Sequence, residues 1–192
     1  MLFRRLLSCS LLLFVLVALT PVAHADSWLP PKPSTSYFSQ SQDAQFVVTF
    51  SAPKDNPSLC FGILYKKNPD PKGPDWLNVW EKPMADGVPP VVVLVANSGW
   101  RVITFDRWYS VGYGENVIVF YDEKGSVLKK YSLESLLTEG ELSQLPCSVS
   151  SRWWRNKVAI DEALGLLNVD ISQRQVSPKR VSFRLIDGSI LE

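Results

Sequence analysis

Apolar positions along this chain recur mostly with a period of two, in short runs separated by proline, glycine, asparagine and aspartate. AQFVVTF (44–50) and LCFGILY (59–65) are β-branched and aromatic runs of strand length. WLNVWE (76–81) alternates large apolar residues with smaller or polar ones and predicts a third short strand. Residues 91–96 are continuously apolar, as expected of a strand covered on both faces. After Asn97-Ser98-Gly99 the chain returns through WRVITF (100–105). VIVFY (117–121) and SVLKKY (126–131) flank Asp122-Glu123-Lys124-Gly125, a turn opened by a carboxylate and closed by a glycine that can take positive φ.

The period then lengthens. Leu133, Leu136 and Leu137 follow Ser132 at helical spacing, and Thr138-x-x-Glu141 reads as a capping box before Leu142 and Leu145. One or two short helices are therefore expected between 132 and 145. Strands are expected again at 149–154, 157–160, 164–171, 180–186 and 189–191, with Asp187-Gly188 as a hairpin signal between the last two. The pattern predicts an all-β fold of antiparallel hairpins, a single β domain over 44–192. An extended Pro/Ser-rich leader, 26–43, precedes it.

Two segments repeat faintly. VIVFYDEKGSVL (117–128) and SFRLIDGSIL (182–191) each pass from a strand through an Asp-to-Gly turn to a serine and an aliphatic residue. The spacing Gly99-x-x-Val102-x-Thr104-Phe105-Asp106, followed by Tyr121-Asp122-x-x-Gly125, resembles a blade of the secreted β-propeller repeats over residues 91–131. No more than three such units are found, whereas propellers normally close with four or more blades. Two architectures stay open, an incomplete or dimerised β-propeller-like stack and a β-sandwich built from similar hairpins. The resemblance implies no particular activity, because such folds host many functions.

The N-terminus changes the inventory of chemistry. A basic start with Arg4 and Arg5, an apolar run over 6–19 and the small-x-small Ala23-His24-Ala25 make residues 1–25 a signal peptide, with export to the periplasm or the medium. The apolar run is too short for a spanning helix, so no membrane span is expected in the mature chain. Cys9 precedes the apolar run's end and is removed with it. Cleavage removes the chain's one histidine, His24, and with it every His-dependent triad, zinc site or pH switch. It leaves 18 basic residues against 19 acidic ones, with no like-charge block, so neither nucleic acid nor an anionic membrane surface is indicated. Cys60 and Cys147 remain. In an oxidising compartment an even count predicts a disulfide; two buried free thiols are the alternative.

Candidate functional residues concentrate between two strong strands. Asp106, Arg107, Trp108, Tyr109 and Tyr113 share one glycine-containing connection, and loops on a rigid scaffold are where binding residues gather. Against this, Trp108 and Tyr113 could fold back to cap a small core. Arg152-Trp153-Trp154-Arg155 offers either a sugar-stacking platform or arginines packed on their own tryptophans. The 122–125 turn lacks the alternating carboxylates of a calcium loop. For an enzyme without histidine a carboxylate pair remains, but Asp106, Glu115, Asp161 and Glu162 show no convergent spacing, and Ser177 with Lys179 matches no Ser-Lys motif. The expectation is a non-enzymatic binding module without metal or cofactor, recognising a protein or a glycan. A carbohydrate-binding module using Trp108, Trp153 or Trp154, and a carboxylate-only hydrolase, are the alternatives.

Overall fold

The computed structural model describes residues 27–52, 59–171 and 179–191. The signal peptide expected over residues 1–25 and Ser177 lie outside the described residues. Within them the chain forms three antiparallel sheets in sequence order. The first is β1 (Ser34–Phe38), β2 (Ala44–Ser51), β3 (Leu59–Lys67) and β4 (Trp76–Pro83). The middle sheet is β5 (Pro90–Val95), β6 (Val102–Arg107), β7 (Ile118–Tyr121) and β8 (Val127–Tyr131). After a single turn of 3-10 helix (Leu133–Ser135) and a short helix α1 (Glu139–Gln144), the last sheet is β9 (Arg155–Asp161), β10 (Leu166–Ile171) and β11 (Lys179–Arg184). Each sheet is a simple up-and-down meander.

The middle sheet is the spine, which explains the continuously apolar sequences of β5 and β7. Alternate side chains point to opposite faces of a strand. Val102, Val119 and Tyr121 pack with Phe46, Leu64 and Trp80 of the first sheet. Ile103, Phe105, Ile118 and Phe120 pack with Leu167, Val169, Ile171 and Phe183 of the last sheet. Leu133, Leu137 and Leu145 close the end of that second core. Buried Arg101 ties the middle sheet to the turn beyond β11, donating from Nε to the carbonyl of Leu185 (2.7 Å) and from a terminal nitrogen to that of Ile186 (2.9 Å).

The turn chemistry follows the sequence closely. Asp122 Oδ1 accepts from the backbone N–H of Lys124 (2.9 Å) and Ser126 (2.8 Å), and Gly125 has φ +74°. Thr138 and Glu141 form the expected capping box on α1. The turn between β1 and β2 is bound to the β5–β6 turn by Asp43, which accepts from the Ser98 backbone (2.8 Å) and from the hydroxyls of Ser39, Ser41 and Ser98. Partial burial disfavours its charge, but these hydrogen bonds outweigh that cost and bring the carboxyl down to about 2. A depressed folded-state value gives stability that is present above pH ~4 and is lost as pH falls towards 2. Asp43→Asn is therefore expected to flatten the acid side of the stability–pH curve over that window, measured by urea denaturation at stepped pH.

Three expectations are corrected. The segment 26–43 is not merely a leader: Ser34–Phe38 is a full edge strand paired with β2, and Tyr37 packs on the first core. Ser34 and Ser36 face solvent at a sheet edge, so the run lacks the apolar density that marks an inner strand. Residues 149–154 and 189–191 are not strands; they make only isolated bridges, Ser151 with Val111, Arg152 with Cys147, and Ile190 with Phe183. Finally, Cys60 and Cys147 are both free. Cys60 lies buried in β3 among the residues of the first core, whereas Cys147 sits exposed in the loop after α1. Burial, helped by the charge of Asp86, pushes the Cys60 thiol up to about 12. Thiol titration at neutral pH should thus label Cys147 alone in the native protein and both cysteines after unfolding; a non-reduced protein with no titratable thiol would restore the disulfide.

Candidate functional site

The connection from β6 to β7 is built around Asp106, the penultimate residue of β6. Its φ of +54° is a left-handed conformation costly for most residues and better tolerated by aspartate. That turn drives the side chain inward, where the carboxylate has no exposed surface. Oδ1 accepts from the backbone N–H of Gly112 (2.7 Å) and from Trp154 Nε1 (2.9 Å), and Oδ2 pairs with the Arg155 guanidinium at 2.9–3.0 Å. Burial pushes this carboxyl above its usual range, against the pull of Arg155 and the N–H donors of Trp154 and Gly112. Gly112 completes the closure: at φ +71°, a Cβ there would stand 2.6 Å from the Arg152 carbonyl oxygen. The loop is also stitched to its neighbours by Trp108 N–H to the Pro89 carbonyl (2.8 Å) and Arg152 N–H to the Val111 carbonyl (2.9 Å).

The five residues singled out in the sequence therefore divide. Asp106 is buried and holds the loop, so it offers nothing to a ligand. Arg107 and Tyr109 are exposed and Trp108 and Tyr113 half-buried. Tyr113 lies beneath the Arg152 guanidinium, 4.9 Å from its ring centre, and belongs to a separate stack. Trp108 and Tyr109 come together with a residue that the sequence did not single out, Trp28. Its ring meets Trp108 edge-on at 5.5 Å and Tyr109 at 6.1 Å. In the sequence Trp28 is detectable only as a large aromatic next to Pro30-Pro31, in a segment expected to be an extended leader. Tyr109 itself has φ +69°, a conformation rare for an aromatic residue, so the surrounding bonds must hold its ring outward.

In the Arg-Trp-Trp-Arg run the tryptophans part as adjacent extended residues do. Trp154 is fully buried, whereas Trp153 is 48% exposed. Arg155 packs over Phe105 and Trp154, which is the intramolecular alternative, while Arg152 turns to Tyr113. The candidate carboxylates are dispersed. Glu115 pairs with Lys130 at 2.9 Å, Asp161 accepts from the Leu164 N–H and Glu162 from the Asn97 N–H. Among the described residues no group of three or more His, Cys, Asp or Glu is placed to hold a metal, and no helix is long and apolar enough to cross a membrane. No protein-family model matches this sequence, and no curated protein matches it.

Proposed function

We propose that this chain is an exported, non-enzymatic binding module of the periplasm or the extracellular space. Its recognition face is the aromatic end of the middle sheet, where Trp108 and Tyr109 stand beside Arg107. The observation that carries this reading is the cost of presenting them: a buried carboxylate with four donor contacts and two left-handed residues fix a loop whose Trp108 and Tyr109 belong to neither core. Aromatic side chains held rigidly at a surface bind with little loss of conformational entropy. The face-to-face succession of three meanders supports reading the scaffold as an open, propeller-like stack whose loops are free to carry such a site.

Probing peptide and glycan arrays with the wild type and with Tyr109→Ala tests the proposal. A ligand retained by the wild type and lost by the variant supports it. Binding to glycans alone, insensitive to Tyr109→Ala but lost in Trp153→Ala, would replace it with a carbohydrate module using exposed Trp153. Hydrolysis of nitrophenyl glycosides would overturn the non-enzymatic part, and an exported protein whose intact mass retains residues 1–25 would overturn the location.

A further inference from the structure

The segment from Ser27 to Pro33 (SWLPPKP) lies across the aromatic face as a ligand would. Trp108 Nε1 donates a 2.8 Å hydrogen bond to the carbonyl of Leu29, immediately before Pro30-Pro31-Lys32-Pro33. Trp28 stacks edge-on against Trp108 and Tyr109 and donates from its own Nε1 to Ser150 Oγ at 3.2 Å. At the far end the Phe50 N–H donates to the Pro33 carbonyl (2.8 Å), where the segment passes into β1. A polyproline-type chain has no internal hydrogen bonds and presents unpaired carbonyls. An indole N–H set in an aromatic groove is the complementary surface. The spacing Pro30-x-x-Pro33 is the pattern such grooves read.

The hold is light. Leu29 is 80% exposed, Pro30, Lys32 and Pro33 also face solvent, and only Trp28 and Pro31 are partly covered. The segment also underfills its bed. Between its prolines and Phe50, Val88 and Tyr109 lies an open hollow of about 510 Å³; between its Pro31 and Lys32 and the residues Tyr37, Pro89 and Trp108 lies another of about 210 Å³. Both hollows are lined mostly by apolar atoms, so a bulkier occupant would gain contacts that the resident segment does not make. A segment with few buried contacts opens locally at small cost.

The geometry points to a proline-recognition groove: Trp108 and Tyr109 bind proline-rich, extended peptides of the Trp-x-Pro-x-x-Pro kind, and residues 27–33 are a resident, displaceable occupant. This rests on the binding-face reading above and names its ligand class. A tethered occupant acts at an effective concentration of about a millimolar. A free peptide with an intrinsic Kd of about 0.1 mM would then appear about tenfold weaker while the tether stays docked.

The test uses the full chain and a fluorescein-labelled peptide, Ser-Trp-Leu-Pro-Pro-Lys-Pro, followed by anisotropy. Trp28→Ala, which removes the anchor of the resident segment, is expected to bind the peptide about tenfold more tightly than the wild type. Adding Trp108→Phe, which keeps a ring but removes the N–H, should cancel most of that gain. A peptide with its three prolines changed to alanine should not bind. Should Trp28→Ala fail to fold by circular dichroism, the variant P30S/P31S/P33S takes its place. A folded variant that binds no better than the wild type, or that binds the alanine peptide equally well, overturns the proposal. If that happens while an array ligand is still lost in Tyr109→Ala, the ligand class is wrong and the binding face stands.

Discussion

Asp106→Ala is expected to be among the most destabilising single changes in this chain, lowering the unfolding free energy by about 3–5 kcal/mol. The carboxylate is wholly buried and engages Gly112, Trp154 and Arg155. Removing it leaves a guanidinium, only 16% exposed, with no counter-charge, an indole N–H with no acceptor, and a backbone N–H facing a void. Alanine must also adopt φ +54°, where aspartate is better tolerated. Asp106→Asn should cost less, since its carbonyl oxygen can still accept from Gly112 and Trp154 and asparagine accepts the left-handed backbone, but it loses the ion pair with Arg155. Urea midpoints at neutral pH measure both. A loss under about 1 kcal/mol for the alanine variant would mean that Asp106 does not lock the loop.

How much of this was legible in the sequence depends on whether a residue's role is set locally. The 122–125 turn and the Thr138–Glu141 capping box are short-range devices, and the residues that make them lie within four positions of one another. The double-sided burial of the run 91–96, which places Val93 and Val95 in one core and Val92 and Leu94 against the other, was legible too, because a strand covered on both faces has no polar alternation to show. Asp106 was named as a ligand-facing residue because nothing nearby reveals Trp154, 48 positions away, or Arg155, 49 away. Trp28 was passed over for a related reason: a proline-rich segment has no period, and its order comes from rings supplied by Trp108 and Tyr109. The disulfide expectation failed because counting cysteines fixes parity and not place; one thiol is sealed in the first sheet and the other lies on an exposed loop.

Gly125→Val should lower stability by about 2–5 kcal/mol, while Trp108→Ala should cost well under half as much. Two effects add at Gly125. Its φ of +74° is strained for any side chain and most for a β-branched one. A Cβ there would also stand 2.6 Å from the ring of Trp80, which is packed in the first core and cannot withdraw. Strain of about 1–2 kcal/mol and overpacking of about 1–3 kcal/mol give the total, and the melting temperature should fall by about 4–20 °C. Trp108, by contrast, is half-buried and belongs to neither core cluster; its ring meets Trp28, and its N–H meets a carbonyl of the displaceable segment. Losing it frees that segment without opening a core cavity. Thermal melts of the two variants side by side separate scaffold from face. If Trp108→Ala lowers the midpoint as far as Gly125→Val does, the aromatic end is part of what holds the sheets together, and a binding face cannot be drawn there.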